Sequence, residues 1–239
     1  MRFALAAAAT ALGIAAAGAP IAAPAAKPAK RALAAADWAR IVVATPEGGF
    51  RMGNPKASLK LVEYGSLTCP HCAHFETEGV PQLVQKYVRS GKVSYEFRNY
   101  VRDPYDLAGA LLSHCAGPKG YFPLTHRIFA AQAQWTARFA ALSPSQYDEL
   151  EALSGPSKLI RIAAIGGLDA MAAQHGVTPG RARACLSDTK AVDRLTGVRQ
   201  AASSRYDLQG TPTFVINGKK AENVSGWATL EPLLARPGG

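Results

Sequence analysis

The hydrophobic pattern of the first half of the chain changes from a strand period to a helix period and back. A β-favouring apolar run covers residues 59–64. Apolar residues at helical spacing then predict a helix over residues 70–89, which Pro81 should kink. Residues 93–97 alternate between apolar and polar side chains, which is typical of a half-buried strand. The order strand, helix, strand predicts a βαβ unit with two parallel strands.

The second half begins with a long helical block. Residues 104–206 are rich in Ala and Leu, and pairs of Gly and Pro recur among them, so we predict several short helices. Residues 213–216 then predict a strand, Asn217-Gly218 a two-residue hairpin turn, residues 220–224 the partner strand and residues 227–234 a closing helix. The chain order is therefore βαβ, a helical block, and ββα.

The N-terminal residues differ from the rest of the chain. Residues 1–36 contain four basic residues and no acidic one, and an Ala-rich apolar stretch follows Arg2. A positive start, a short apolar run and small residues after it are typical of a secretory signal. We predict a signal peptide over residues 1–25, an Ala/Pro/Lys tether with a lead-in over residues 26–56, and export to the periplasm. An uncleaved membrane anchor is the alternative.

The length and charge of the chain indicate a globular protein and argue against a nucleic-acid-binding function. The 239 residues are 48% hydrophobic, which is enough to bury a real core. The net charge is +10, but residues 1–36 contribute four of these charges. No basic cluster interleaved with aromatic residues occurs, so the sequence does not favour a nucleic-acid-binding protein.

Candidate chemistry lies between the first predicted strand and the first predicted helix, at Cys69-Pro70-His71-Cys72. A thiolate is the species that attacks disulfides, and unpaired N–H groups at a helix N-terminus stabilise negative charge. Pro70 starts a helix without leaving an N–H unused, and His71 can add a positive charge or a hydrogen bond. We therefore predict a lowered pKa for Cys69, with Cys72 one turn later and deeper in the structure.

A second feature gives this dithiol a context. Thr211-Pro212 stands before the predicted hairpin, 140 residues after the cysteines. With the order of elements, it makes the sequence resemble the thioredoxin fold with an inserted all-helical domain, and more narrowly the DsbA-like family of exported thiol–disulfide oxidoreductases. The resemblance covers about residues 57–234. It implies an α/β fold with thioredoxin-like parts at residues 57–103 and 207–239 and a helical insertion at residues 104–206.

The resemblance also implies roles for individual residues. Pro212 is expected to be cis, with the Thr211 backbone pairing to an incoming extended peptide. A trans proline at a strand start is the alternative. The family has an acidic residue at the Glu63 position that assists proton transfer to Cys72, whereas a Glu at the polar margin of the sheet is the alternative. The His71 position is associated with oxidising behaviour in the family.

The function expected from these features is a periplasmic oxidase that donates the Cys69–Cys72 disulfide to exported proteins with free thiols, through a mixed disulfide at Cys69. The resemblance implies reoxidation by a membrane quinone-linked partner of the DsbB type, and we expect no cofactor. A reductase or isomerase of the same fold remains open, because the residue before the proline, here Thr211, tunes potential and substrate release in the superfamily. A peptide-binding chaperone is a third possibility.

The two cysteines of the dithiol have simpler explanations as well. A permanently closed disulfide is one, although the start of a helix is an unusual place for a structural staple. Zinc is another, with His74 as a third ligand. A closed zinc site needs a fourth ligand, and the sequence has no second Cys-x-x-Cys and no His-x-x-x-His, so we predict no metal site. Glu76 is expected to be a surface acid of the helix.

The other two cysteines, Cys115 and Cys185, both lie in the helical block. An even number of cysteines in an exported protein favours a structural disulfide between them. Buried free thiols are the alternative. Closing a loop of about 70 residues contributes on the order of 4 kcal/mol in the entropy model.

Overall fold

Residues 37–235 are described by a computed structural model, and in this part of the chain helices surround one mixed sheet. The strands are β1 (Val42–Ala44), β2 (Phe50–Met52), β3 (Leu59–Gly65), β4 (Val93–Asn99), β5 (Thr213–Ile216) and β6 (Lys219–Lys220). The helices are α1 (Pro70–Leu83), α2 (Pro104–Cys115), α3 (Gly117–Ala130), α4 (Gln132–Ala140), α5 (Pro144–Ala152), α6 (Gly155–Gly166), α7 (Leu168–Gln174), α8 (Pro179–Leu186), α9 (Thr189–Tyr206) and α10 (Trp227–Leu234). The predicted signal peptide and residues 26–36 of the predicted tether lie outside the described residues.

The sheet has the strand order β1-β2-β4-β3-β5-β6. β3 and β4 pair in parallel, with α1 as the crossover between them, and the other neighbours are antiparallel. This arrangement confirms the βαβ unit, the α/β class and a helical insertion between β4 and β5. Because β3 is central, the chain that leaves its carboxyl end starts α1 from the middle of the molecule.

The central strands are buried because they are covered on both sides. Tyr95 and Phe97 of β4 are almost fully inaccessible to solvent, and the side chain of Phe75 in α1 packs edge-on against Phe214 of β5, with 4.7 Å between the ring centroids. On the other side, Val198 of α9 belongs to a second apolar cluster against the sheet. These layers fix both ends of the loop that joins β3 to α1.

The helix after the dithiol departs from the prediction at its C-terminal end. An α-helix was expected as far as residue 89, but α1 ends at Leu83 and a π-helical turn (Val84–Val88) follows. Pro81 lies inside α1, where it lacks the N–H that would continue the ladder of hydrogen bonds. The widened turn begins three residues later and completes the crossover to β4.

Two strands were missed and one was predicted too long. β1 and β2 lie in the lead-in to the first predicted strand, and each has three residues, which is too short for an alternating pattern to stand out. β6 has only two residues, whereas residues 220–224 were predicted. The turn itself is as predicted: Asn217 and Gly218 have positive φ values of 50° and 80°, as a tight hairpin requires.

The helical insertion consists of α2–α9 and shares the main apolar core with the sheet. Cys115, the last residue of α2, is joined by a disulfide to Cys185 of α8. The even cysteine count favoured this pairing. Among residues 37–235, none of the helices combines the length and apolar character needed to cross a bilayer.

Candidate active site

Cys69 is the N-cap residue of α1. Its backbone is extended (φ −89°, ψ 119°), and Pro70 occupies the first helical turn. The Cys69 carbonyl accepts the first hydrogen bond of the helix, from the N–H of Ala73 at 3.1 Å. The remaining N–H groups of that turn have no partner within the helix and lie beside the Cys69 sulfur. The local sequence therefore places a thiol at the positive end of a helix.

These surroundings lower the pKa of Cys69 to about 5. The largest cause is a hydrogen bond from the Cys72 thiol, and hydrogen bonds from Thr211 and from the backbone N–H groups of Cys72 and His71 add to it. Burial of Cys69 acts in the opposite direction. Cys69 is therefore a thiolate at neutral pH when the dithiol is reduced.

Cys72 has the opposite character. Its side chain is fully buried, and the pKa of its thiol is raised well above the usual value, first by burial and then by the neighbouring Cys69 sulfur and the Glu63 carboxylate. The backbone N–H of Ser66 lies 3.5 Å from the Cys72 sulfur and partly offsets this rise. One cysteine is thus ionised and the other remains a protonated, buried thiol.

The Thr211-Pro212 peptide lies directly beside the dithiol, and its peptide bond is cis, as predicted. The Cys69 thiol donates a hydrogen bond to the Thr211 carbonyl oxygen at 3.1 Å. A cleft of 590 Å³ opens next to this peptide. The cleft is lined by residues 207–213 and 220–225. The cleft leaves room for a chain segment beside the Thr211-Pro212 peptide.

Glu63 lies in β3 and is fully buried, so the alternative of a Glu at the polar margin of the sheet is wrong. Its carboxylate accepts a hydrogen bond of 2.6 Å from the Tyr95 hydroxyl. Burial raises the pKa of Glu63 well above its usual value, the Tyr95 hydrogen bond lowers it in part, and the charges of Glu76 and Cys69 raise it further. Glu63 is therefore a buried acid that holds its proton to unusually high pH.

Among the neighbours of the two cysteines in α1, Pro70 starts the helix and His71 supplies a hydrogen bond to Cys69, as expected, whereas Glu76 differs from its expected surface position. Pro70 and His71 are exposed, and His71 acts on Cys69 through its backbone N–H. Glu76 was expected on the helix surface, but it is buried and lies 3.3 Å from Nδ1 of His126. His74 is exposed and pairs with Glu78 at 3.1 Å. Over residues 37–235, no three His, Cys, Asp or Glu side chains come together as a set of metal ligands.

Several residues that support the dithiol were not identified from the sequence. The sequence predicted Tyr95 only as part of a half-buried strand, although its hydroxyl donates a hydrogen bond to Glu63. Ser66 faces Cys72 with its backbone N–H. Asp106 and Gln132 lie in the insertion and bond to the loop before Cys69. Only Tyr95 had a signal in the sequence, because its alternation pattern placed it inside and a buried hydroxyl needs a partner.

Comparison with known proteins agrees with this geometry. A thioredoxin family model matches residues 45–236. A Rickettsia bellii protein, provisionally named a protein-disulfide oxidoreductase, is 32% identical over 180 residues, which are 75% of this chain and 61% of that protein. The chain thus spans less than two thirds of that relative's length.

Two solved structures are similar over most of the chain. One is described as a protein-disulfide isomerase from Novosphingobium aromaticivorans, with 33% identity and a TM-score of 0.74 over 79% of this chain and 98% of that one. The other is Wolbachia pipientis alpha-DsbA1, with 25% identity and a TM-score of 0.56 over 77% and 87% of the two chains. The matched sequence, the sheet order and the helical insertion show that this chain belongs to the thioredoxin family, as a DsbA-like member.

Proposed function

We propose that the protein is a periplasmic dithiol oxidase, which donates a Cys69–Cys72 disulfide to exported proteins that contain free thiols. The observation that carries the proposal is the contrast between the two sulfurs, with the pKa of Cys69 lowered to about 5 and that of Cys72 raised by burial. A stabilised Cys69 thiolate favours the reduced form of the pair. A disulfide whose reduced form is stabilised is a strong oxidant.

The reaction begins on the oxidised protein. A substrate thiolate attacks the sulfur of Cys69, a new disulfide forms between substrate and Cys69, and the bond to Cys72 breaks. Attack at Cys69 is supported by its position against the Thr211 carbonyl, since Cys72 is fully buried and Cys69 is 2% exposed. Cys72 leaves as a thiolate in surroundings that disfavour its charge, and it therefore takes up a proton.

Glu63 supports the proton transfer to Cys72. Its raised pKa keeps it protonated over a wide pH range, and its charge, when present, acts on Cys72. A proton that moves from Glu63 to the Cys72 thiolate gives a neutral Cys72 thiol and transfers the buried negative charge to the Glu63 carboxylate. The Tyr95 hydroxyl then stabilises the carboxylate left behind.

The second step releases the product. A second thiolate of the substrate attacks the substrate sulfur of the mixed disulfide, and Cys69 leaves as a thiolate. A thiol of low pKa is a good leaving group, so the pKa of about 5 for Cys69 favours this step. Two substrate thiols lose two electrons and two protons, and the protein keeps the electrons as a Cys69 thiolate and a Cys72 thiol.

Substrate binding is assigned to the cleft beside Thr211 and Pro212. The Thr211 carbonyl is close to the reacting sulfur, and an extended peptide adds to such a backbone edge through its own N–H groups. The lining residues 207–213 and 220–225 supply both backbone and polar side chains. Backbone recognition suits an enzyme whose substrates share thiols and not a sequence.

Export and reoxidation complete the proposal. The basic start and apolar run of residues 1–25 support export, and the Cys115–Cys185 disulfide suits an oxidising compartment. Each turnover leaves a reduced dithiol, so an oxidant must accept two electrons from it. We assign this role to a membrane quinone-linked protein of the DsbB type, in line with the family.

The test combines variants with a redox titration. The wild-type protein should oxidise a reduced, unfolded protein, Cys69→Ser should abolish this, and Cys72→Ser should accumulate a mixed disulfide at Cys69 that mass spectrometry detects. Titration against glutathione should give a potential near ~−120 mV, as for a disulfide donor. A potential near ~−270 mV, or oxidation retained by Cys69→Ser, would overturn the proposal.

An isomerase is the second candidate, because the Novosphingobium aromaticivorans structure is described as a protein-disulfide isomerase. An isomerase restores activity to a protein with scrambled disulfides and needs its dithiol reduced, whereas an oxidase acts on reduced substrate and needs its disulfide. Assays with both substrates and both redox forms of this protein separate the two activities. Binding of unfolded peptide that survives loss of both cysteines would favour a chaperone instead.

A further inference from the structure

The loop between β3 and α1, which carries Ser66, Leu67, Thr68 and Cys69, is hydrogen-bonded to the helical insertion along most of its length. These hydrogen bonds are separate from the Glu63–Tyr95 contact and from the contact of Cys69 with Thr211. Residues of the insertion provide partners for the backbone of Leu67, for the hydroxyl of Thr68 and for the carbonyl of Cys69. The insertion therefore reaches the dithiol through its backbone.

Gln132, the first residue of α4, makes the most direct of these contacts. Its Nε2 donates to the carbonyl oxygens of Leu67 at 2.8 Å and of Cys69 at 3.0 Å. Only 8% of Gln132 is exposed, so water does not compete for its amide and the two N–H groups depend on these protein acceptors. Both of its donated hydrogen bonds end on the loop between β3 and α1, here called the redox loop, at the residues on either side of Thr68.

Two carboxylates at the N-terminal end of α2 accept hydrogen bonds from the same loop. Asp106 is fully buried, and its Oδ1 accepts the N–H of Leu67 at 2.9 Å while its Oδ2 accepts the N–H of Arg102 at 3.0 Å. Asp103, the N-cap of α2, accepts the Thr68 hydroxyl at 2.8 Å.

Close packing accompanies these polar contacts. The Leu67 side chain lies so near α2 that a Cβ added at Gly109 would come within 2.8 Å of its Cδ1. Leu67 is itself fully buried, so the loop is packed as well as hydrogen-bonded against α2. Both kinds of contact restrict the backbone of this loop.

We propose that Gln132, with Asp103 and Asp106, is a positioning residue for the dithiol, and that the helical insertion thereby sets the reactivity of Cys69. The Cys69 carbonyl joins α1 and α4, because it accepts from both Ala73 and Gln132. Fixing that carbonyl fixes ψ of Cys69, and with it the direction of the Cα–Cβ bond relative to the first turn of α1. The Gln132 amide also places a positive dipole end next to the residue that ionises.

The inference concerns the thiol chemistry of Cys69 and stands whether the enzyme works as an oxidase, a reductase or an isomerase. Its test is therefore a comparison between variants and not an absolute potential. An unexpected wild-type potential would overturn the proposed direction of the reaction and leave this comparison intact.

The main variant is Gln132→Met, which keeps the length of the side chain and removes both N–H donors. The matched control is Gln134→Met, the same change at an exposed position two residues further along α4. In each reduced protein, absorbance at 240 nm against pH gives the pKa of Cys69, and equilibration with glutathione gives the redox constant. Thermal unfolding is followed in parallel.

For Gln132→Met we expect a pKa of Cys69 above that of the wild type and a redox constant that is about threefold to tenfold less oxidising, since tenfold corresponds to one pKa unit. Gln134→Met should match the wild type. If Gln132→Met lowers only the melting temperature and leaves both redox measurements unchanged, Gln132 is a structural residue and the proposal is wrong.

A second variant covers the case in which Gln132→Met does not fold. Thr68→Val removes the hydroxyl that donates to Asp103, at a partly exposed position where the change in volume is small. It should move the pKa of Cys69 and the redox constant in the same direction as Gln132→Met, by a smaller factor. Wild-type values in a folded Thr68→Val protein would overturn the proposal.

Discussion

The carbonyl oxygen of Thr211 accepts a hydrogen bond of 3.1 Å from the thiol of Cys69, across 142 residues of sequence. This bond exists only while Cys69 is protonated, because a thiolate cannot donate. Neither the thiolate nor the Cys69–Cys72 disulfide has a proton to donate, so in both of these forms the Thr211 carbonyl is free for an N–H of an incoming peptide. The acid–base state of the reactive sulfur and the availability of the adjoining backbone acceptor are coupled.

The first prediction is a pH-dependent stability of the reduced protein. Because the pKa of Cys69 is about 5 in the folded protein and about 8.5 in an unfolded chain, ionisation stabilises the fold. The contribution is complete above about pH 8.5, amounts to about 3 kcal/mol at pH 7 and disappears as pH falls through 5.

Denaturant unfolding of the reduced and oxidised proteins between pH 4 and pH 8 measures this effect. The oxidised protein is the control, because its sulfurs do not titrate. The unfolding free energy of the reduced protein minus that of the oxidised protein should increase with pH over this range. A constant difference would show that Cys69 is not ionised, and it would remove the basis for a strong oxidant.

The second prediction concerns Glu63→Gln. The pKa of Glu63 is raised in the folded protein, so the wild type loses stability as pH rises above about 4.3, because the unfolded chain then releases a proton that the folded protein retains. The amide cannot ionise and still accepts from Tyr95. We expect Glu63→Gln to be more stable than the wild type at pH 8 but not at pH 4.

The same variant lacks the proton donor for Cys72, so formation of the mixed disulfide should slow by about 100-fold, the lower range for general acid catalysis. Stopped-flow measurement of the reaction with a thiol peptide tests this. The exposed Glu78→Gln in α1 is the matched control and should change neither stability nor rate. An unchanged rate in Glu63→Gln would assign the Cys72 proton to solvent.

Sequence patterns were sufficient for the elements whose hydrophobic period runs over enough residues. β3, α1 and β4 were predicted in order, and the hairpin was predicted because Asn-Gly favours the positive φ at both residues of a type I′ turn, which Asn217 and Gly218 have. β1 and β2 were missed because three residues do not establish a period.

The chemistry of the site was predictable only where it is local. The segment from Cys69 to Cys72 contains the residues that start the helix, and the helix start places Cys69 where its pKa is lowered and Cys72 where its pKa is raised. Gln132 was not predictable, because a Gln in an Ala-rich helix resembles a solvated surface residue. Asp106 has the position of an ordinary acid in the first turn of a helix. Only the packing of the insertion against the redox loop buries both of them.

The third prediction separates the structural disulfide from the redox pair. Cys115 and Cys185 close a loop with a sequence separation of 70 residues, so the double variant Cys115→Ala/Cys185→Ala should lose about 4 kcal/mol of unfolding free energy at most. The contacts of Gln132 and Asp106 to the redox loop do not involve either sulfur.

The redox constant with glutathione should therefore stay at the wild-type value in this double variant, while the denaturation midpoint falls. Both quantities are measured on the same preparation, with free thiols counted by mass spectrometry. A redox constant that moves together with the midpoint would mean that the disulfide, and not the local hydrogen bonds, maintains the geometry of the insertion at the dithiol.

The last prediction concerns the side chain of Thr211. Its hydroxyl is buried and has no hydrogen-bond partner among the described residues of the thiol form, yet donation from Thr211 lowers the pKa of Cys69. The hydroxyl is thus available to the thiolate when it forms.

Thr211→Val keeps the shape of the side chain and removes the donor. We expect it to raise the pKa of Cys69 by roughly 0.7, which corresponds to the loss of a hydrogen bond worth about 1 kcal/mol. Thr211→Ser retains the hydroxyl and should stay near the wild-type value by absorbance at 240 nm. If valine and serine gave the same pKa, the thiolate would be stabilised by Cys72 and the helix N–H groups alone, and Thr211 would contribute only its backbone.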